Sequence, residues 1–113
     1  MKEFIVLYHA PVDAVKQTAS ATAEQQAKGM AMWMQWAKEC GDKLVDLGSP
    51  LTNSQELIPG GKSKNSGSDV VGYSILQAEN MDEAKSLLQK HPHLGWNPDC
   101  SIEVHETMSL PGM

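Results

Sequence analysis

Residues 70–93, VVGYSILQAENMDEAKSLLQKHPH, carry the most information about the fold. Residues 70–78 are mostly apolar and β-branched or aromatic, which predicts a buried strand. Asn80 is a good helix N-cap, and Pro92 disfavours helical geometry at the residue before it, so the stretch between them predicts a helix. The inner side of that helix is expected to carry the residues Ala84, Leu87, Leu88 and His91.

Three further strands and another helix follow from the same signals elsewhere. Residues 3–9, EFIVLYH, predict the first strand, and residues 43–47 predict a short one. Thr22 and Gln25 form a capping-box pair, which predicts that a helix begins there and ends near Gly41. Residues 101–108 predict the last strand. Residues 11–21 show no strong period and are expected to be a connector, and the polar, glycine-rich residues 59–69 are expected to be a flexible loop.

The first helix has an unusual concentration of Met and Trp on its apolar face. The residues expected on that face are Ala27, Met30, Trp33, Met34, Ala37 and Cys40. We expect Met30, Trp33 and Met34 to be core residues, because such a stripe at helical spacing usually packs inward. Trp36 or Met32, at the edge of the face, is expected to reach the rim of a ligand pocket.

The order strand–helix–strand, repeated once, predicts the fold class. It is α+β and ferredoxin-like, βαββαβ, with a four-stranded antiparallel sheet and both helices on one face, in one domain spanning residues 1–113. Residues 3–9 and 70–78 are apolar on both faces, which predicts that they are the central strands of the sheet. Two helices, however, cover only one face. Burying the second face against a twin sheet would solve this, so the sequence predicts a homodimer through the sheet face.

Composition excludes several classes of function. The 113 residues have a net charge of -5, and the basic residues are nine lysines with no arginine, which argues against nucleic-acid binding. No stretch approaches the roughly 20 apolar residues of a membrane span, so no membrane partner is expected. The start of the chain lacks a secretory signal pattern, and Cys40 and Cys100 show no framework spacing; both observations favour a cytoplasmic location.

His91 is the sharpest candidate for catalysis. Imidazole titrates near neutral pH, and the residue closes a helix beside a loop, so it could act as a general base. The plainer interpretation is a histidine packed on the apolar stripe at the carbonyl end of the helix dipole. His93 lies two residues further on and could bind substrate. The pair forms only a weak zinc pattern, so no metal is expected.

A second group of candidates lies on the predicted sheet. His9 and His105 could meet if the first and last strands are neighbours, and Glu103 would then share the face of His105. Such a cluster would suit proton transfer on a small molecule; a solvated or interfacial polar pair is the simpler alternative. Asp46 could orient a histidine, or could be an outward-facing acid at the sheet edge.

The chain resembles the YCII-related domains of the dimeric α+β barrel group. The resemblance rests on four segments: EFIVLYHAP (3–11), GDKLVDLGSPL (41–51), GYSILQAENMDEAKSLLQKHPH (72–93) and IEVHE (102–106). It implies a ferredoxin-like homodimer with a pocket between helices and sheet, and some family members look like lyases. The family's proposed active pair is a histidine early in the first helix and an acid before the proline that follows the second. Here those positions correspond to Met30 and His91.

Three functions remain open from the sequence. The first is a cofactor-free lyase or isomerase that uses His91 on a small apolar or aromatic-derived substrate. The second is a non-catalytic ligand-binding or interaction module, which the missing first-helix histidine favours. The third is a cofactor-free monooxygenase of the same fold. No cofactor is expected in any of them.

Overall fold

The structure is a computed structural model that describes residues 1–112; residue 113, the last of the predicted domain, lies outside the described residues. The described chain contains six strands and three α-helices. In chain order they are β1 (Lys2–His9), α1 (Val12–Ala19), α2 (Ala23–Cys40), β2 (Leu44–Asp46), β3 (Gln55–Leu57), β4 (Ser63–Asn65), β5 (Val70–Ala78), α3 (Met81–Leu88) and β6 (Ser101–Glu106). Short 3-10 segments follow α2 and α3, at Gly41–Lys43 and Pro92–Gly95.

Four strands form one antiparallel sheet in the order β2-β5-β1-β6. Val6 of β1 lies opposite Ser74 of β5 on one side and Val104 of β6 on the other. The two strands that the sequence predicted to be central, β1 and β5, are central. Without α1 and the small β3–β4 sheet, the element order is βαββαβ, so the predicted α+β, ferredoxin-like fold class is confirmed.

One face of the sheet holds the core. Phe4, Val6 and Tyr8 of β1 alternate with less buried residues, and this buried set packs with α2 and α3. The helices contribute Trp36 and Cys40, and Ala84 and Leu88, to the same cluster. The period of two along β1 therefore directs one set of side chains under both helices.

The opposite face, called here the outer face, is half-buried and largely apolar at its centre. Register places Ile5 opposite Ile75, and Leu7 opposite Tyr73, on this face. His9 lies on it at the end of β1. The expectation that both central strands are apolar on two faces thus holds in the folded chain, and the outer face is open to solvent in the protomer.

Helix α2 begins as predicted. The Thr22 side chain accepts a hydrogen bond from the Gln25 backbone N–H at 3.1 Å, and the Gln25 side chain accepts one from the Thr22 N–H at 2.9 Å. The prediction that Met30 and Met34 are core residues is wrong for the protomer, because they are 59% and 51% exposed. Trp33 is half-buried against the core.

Met30 is exposed because it precedes the point at which α2 meets the sheet. Met34 lies to one side of the helix face that Trp36 buries. Residues 23–32 are exposed throughout, and burial begins only at Trp33. Only the second half of the helix lies over the sheet, so the first half extends beyond it. The radius of gyration is 15.7 Å, against about 13 Å for a compact chain of this length.

Two predicted irregular segments contain regular structure. Residues 12–19 form α1, which is only eight residues long and buries one residue, Ala14, so it produces little periodic signal. Residues 59–69 were expected to be a flexible loop; instead Ser63–Asn65 pairs with Gln55–Leu57 in a short hairpin. Gly60 and Gly61 turn this hairpin with φ of 95° and 82°, and its polar three-residue strands give no alternating pattern.

Among the described residues, no helix combines the length and the apolarity that crossing a bilayer requires.

Candidate functional site

His91 lies in the core, between the end of α3 and the sheet. The Asn80 side chain accepts a hydrogen bond from the Glu83 backbone N–H at 2.9 Å and starts α3, as predicted. The helix ends at Leu88, and His91 before Pro92 is extended, with φ of -62° and ψ of 136°. This conformation turns the imidazole inward, and only 2% of the residue is exposed.

Aromatic rings surround the His91 imidazole. The ring centroids of Trp33 and Trp36 are each 4.3 Å from that of His91, and that of Tyr8 is 4.9 Å away. Trp33 meets the imidazole nearly edge to face, at an interplanar angle of 87°. We call these four residues the aromatic box. It joins a strand, the long helix and the segment after α3 at one point.

Hydrogen bonding determines the tautomer of His91. Its Nδ1 accepts the backbone N–H of His93 at 2.9 Å, so in the neutral ring the proton is on Nε2. The Nε2 atom is buried and has no hydrogen-bond partner among the described residues. Burial, followed by the charge of nearby His93, lowers the pKa of His91 to about 3. The ring is therefore a neutral hydrogen-bond donor at physiological pH.

His93 anchors the segment that carries His91. Only 3% of His93 is exposed, and its Nε2 lies 2.7 Å from the backbone oxygen of His9, to which it donates a hydrogen bond. Burial lowers the pKa of His93, partly offset by this bond. Trp96 packs 5.7 Å away, centroid to centroid. His93 thus ties the box to the end of β1.

The Tyr8 hydroxyl belongs to a short buried chain of hydrogen bonds. It donates to the Ser74 Oγ at 2.8 Å, and Ser74 donates to the Leu47 backbone oxygen at 2.6 Å. Burial is the main cause that raises the pKa of Tyr8 to about 12. The phenol stays protonated and presents its ring to the box.

Trp36 separates the box from an open cleft between α2 and α3. Its indole N–H donates to the Leu87 backbone oxygen at 2.7 Å. The cleft has a volume of about 180 Å³ and is lined by Trp36, Glu39, Cys40, Ser86, Leu87, Gln89 and Lys90. Trp36 therefore lines this cleft. That it or Met32 reaches the rim of a ligand pocket stays a prediction.

A second cleft lies on the other side of α3, over β6. Its volume is about 310 Å³, and it is lined by Met81, Lys85, Leu88, Gln89, Leu94, Ile102 and Val104. Lys85 is its one basic residue and pairs with Asp82 at 3.6 Å. The two clefts leave α3 with open space on both flanks.

The histidines on the sheet meet through Glu103, on the outer face. His9 Nε2 lies 2.9 Å from one Glu103 carboxylate oxygen, and His105 Nε2 contacts the other. His9 Nδ1 lies 2.6 Å from the carboxylate of Asp69. The sequence predicted that His9, His105 and Glu103 would converge, and the structure brings them together. The sequence pattern did not indicate Asp69, which follows the hairpin.

The remaining candidates lie apart from these groups. Met32 is 58% exposed on the projecting half of α2. The Asp46 carboxylate accepts a hydrogen bond from the Gly48 N–H at 2.8 Å, so it orders the turn after β2. Within residues 1–112, no three side chains of the types His, Cys, Asp or Glu are arranged to hold a metal ion.

Sequence reasoning missed Tyr8 and Trp33 as neighbours of His91. Tyr8 shares the inward register of Phe4 and Val6, which was visible in the alternation of β1. The alternation does not show which end of β1 lies under the helix that carries Trp33. That is a property of the tertiary structure.

Comparisons with known proteins find similarity among solved structures but no matching family. No family model matches the chain, and no curated protein matches it. Among solved structures, the chain is similar to 5-chloro-2-hydroxyhydroquinone dehydrochlorinase from Burkholderia phenoliruptrix, in complex with 2,5-dihydroxybenzoquinone. The identity is 15%, 91% of each chain is covered and the TM-score is 0.49. At this level of similarity, the neighbour's substrate and site say nothing about this chain.

Proposed function

We propose that this chain is a YCII-like protein that handles a small apolar or aromatic-derived molecule bearing an oxygen acceptor. One observation carries the proposal. The His91 Nε2–H is a buried donor that has no partner among residues 1–112, inside a box of aromatic rings. An unsatisfied buried donor costs roughly 1–3 kcal/mol, so a ligand oxygen that pairs with it gains that energy.

The ligand enters, in this proposal, through the cleft between α2 and α3. Trp36 lines that cleft and also contacts His91, so rotation of its indole would join the cleft to the box. The cleft volume of about 180 Å³ suits a molecule with one ring. Lys90 and Glu39 supply charged groups at its edge, while the box supplies flat apolar walls.

The hydrogen bonds of His91 favour a donor role over the base role that the sequence suggested. Its Nδ1 lone pair is engaged by the His93 N–H, which leaves Nε2–H as the reactive edge. A neutral imidazole can stabilise negative charge on a carbonyl oxygen while an adjacent C–H bond is ionised. Glu39, in the same cleft, is the group we assign to accept that carbon-bound proton. This is the chemistry of a cofactor-free lyase or isomerase.

A non-catalytic ligand-binding module is the second candidate. It is favoured by the near-complete burial of His91 and by Met30, which stands where the resembled family has its helix histidine. Binding without turnover requires only the aromatic walls and the Nε2–H donor. The two candidates share the site and differ in whether a proton moves.

The proposal includes a homodimer formed through the outer face, and a cytoplasmic location as expected from the sequence. Ile5, Leu7, Tyr73 and Ile75 form an apolar centre on two adjacent strands. A second copy is the occupant we assign, because a two-fold axis would pair the same apolar centre with itself. Sedimentation at micromolar concentration should show a dimer that Ile75→Lys dissociates. Leu57→Lys, on the exposed hairpin, is the matched control; a wild-type monomer would refute the dimer.

Solvent hydrogen exchange tests for catalysis before the substrate is known. Single-ring ketones and lactones are incubated with the protein in D2O, and deuterium at the carbon next to the carbonyl is followed by NMR. We expect exchange that His91→Phe slows by roughly 100-fold, while Lys38→Gln on the exposed side of α2 leaves it unchanged.

Tryptophan fluorescence titrations of the same panel separate the two candidates. Saturable quenching by carbonyl-bearing rings, with no deuterium uptake, would support the binding module and refute the enzyme. The same rings without the oxygen serve as the control. If no compound of the panel binds or exchanges hydrogen, both candidate functions are refuted.

A further inference from the structure

We propose that His9, Asp69 and Glu103 form a protonation-controlled latch that fastens the β3–β4 hairpin segment to the sheet. Both His9 ring nitrogens lie within hydrogen-bond distance of a carboxylate oxygen, at 2.6 Å from Asp69 and 2.9 Å from Glu103. An ionised carboxylate only accepts hydrogen bonds, so both nitrogens must donate. The latched state is therefore the imidazolium state.

The segment that the latch holds has few other attachments. Its first part joins the sheet through Ser49 and Leu51, whose backbone groups bond with Tyr73 and Val71. The strands of the hairpin, Gln55–Leu57 and Ser63–Asn65, are exposed at every residue. At its far end, the Asp69 backbone oxygen accepts the Ala10 N–H at 3.0 Å, next to the side-chain bond with His9.

Loss of the His9 proton releases one carboxylate and not the other. A neutral imidazole has a single N–H, so one carboxylate then faces a nitrogen lone pair. Glu103 is held by the pairing of β6 with β1, and it also bonds His105. Asp69 sits at the end of the segment that carries the exposed hairpin, and its side chain is 58% exposed against 48% for Glu103, so Asp69 is the partner that leaves.

The charged surroundings of His9 set the direction of the switch. Asp69 precedes β5, Glu103 and His105 lie on β6, and buried His93 bonds the His9 backbone oxygen from below. The hydrogen bond that His9 donates to Asp69 is the largest cause that raises the pKa of His9. The latch is closed below that raised pKa and opens as the pH rises through it.

Trypsin cleavage at Lys62 and Lys64, both in the β3–β4 hairpin, reports the open state of the latch. The cleavage rate of the wild type is divided by that of His9→Gln at each pH from 6 to 9.5, which cancels the pH dependence of trypsin. We expect the wild type to be cleaved roughly tenfold more slowly at pH 6 and the ratio to approach one at high pH. Asp69→Asn should be cleaved rapidly at every pH, while Lys64→Arg keeps the wild-type profile.

A pH-independent ratio would overturn the latch. Circular dichroism of each variant excludes global unfolding as the cause of cleavage. If His9→Gln does not fold, the comparison of wild type with Asp69→Asn decides, because a latch predicts that their rates differ at pH 6 and converge at pH 9.5. Rates that differ equally at both pH values would likewise overturn it.

Discussion

The Nε2 of His93 lies 2.7 Å from the backbone oxygen of His9, and this bond joins the two histidine groups of the molecule. On the buried side, the His93 N–H holds the Nδ1 of His91. On the outer face, the His9 ring holds Asp69 and Glu103. His93 therefore connects the buried imidazole of His91 to the strand residue whose ring two carboxylates hold on the outer face.

The burial of His91 predicts loss of stability in acid. Its folded pKa of about 3 is below the unfolded value, so this contribution is complete above about pH 6.5 and is lost as the pH falls towards 3. Across that window the unfolding free energy should fall by about 1.4 kcal/mol per pH unit for this one group. Urea denaturation at pH 7, 6 and 5 measures the slope.

His91→Phe should remove the contribution of His91 to the slope of unfolding free energy against pH, while the phenyl ring fills much of the same space. Lys38→Gln, on the exposed side of α2, is the control and should retain the wild-type slope. Part of the acid sensitivity remains in either variant, since burial also lowers the pKa of His93. Equal slopes for His91→Phe and wild type would show that His91 is accessible to protons in the folded chain.

Removing the His93 side chain should loosen the segment after α3. His93→Ala deletes the donor to the His9 backbone oxygen and leaves space among Tyr8 and Trp96, which should cost about 2–3 kcal/mol. His93→Gln keeps an N–H donor and should recover part of the loss. Amide hydrogen exchange of Pro92–Gly95 and urea denaturation provide the two readouts. Equal destabilisation by both variants would assign the effect to packing alone.

The Tyr8–Ser74 pair predicts an unequal response to two small deletions. Tyr8→Phe removes a hydroxyl, but Ser74 can still donate to the Leu47 oxygen, so the cost should be about 1 kcal/mol. Ser74→Ala strips the partner from both the Tyr8 hydroxyl and the Leu47 oxygen, and should cost about 2–4 kcal/mol. Thermal or urea unfolding of both variants tests the order; the reverse order would contradict the chain of bonds.

Local signals in the sequence predicted most of the sheet and two of the helices. The Thr22–Gln25 capping box and the Asn80 cap depend on neighbouring residues only, and each lies where it was expected. The end of α3 was placed too late, because the helix stops at Leu88 and His91 is already extended. The two-sided apolar character of β1 and β5 correctly placed these strands at the centre. Such features need no knowledge of the rest of the fold.

The failures concern positions that tertiary packing decides. Met30 is exposed because α2 meets the sheet only from Trp33 onward, and a periodic pattern does not show where a helix leaves its sheet. Met34 lies beyond that point but to one side of the buried face, which is centred nearer Trp36 than the pattern indicated. Likewise His9 and His105 were predicted to meet because strand order follows from topology. Asp69 was missed because the hairpin segment that delivers it has no period. The aromatic box combines β1, α2 and the segment after α3, a conjunction that no local signal encodes.

Gly48 provides a sharp test of the turn that brings β2 alongside β5. Its φ is 82°, and a Cβ added there would lie 1.7 Å from the Tyr73 backbone oxygen. Gly48→Ala must therefore displace backbone at the point where Ser49 and Tyr73 bond, and should cost more than about 3 kcal/mol. Gly67→Ala is the matched control, since a Cβ at Gly67 meets nothing within 4 Å, and it should be nearly neutral. Urea unfolding compares the two, and equal stability of both variants would mean that the turn after β2 does not approach β5 as described.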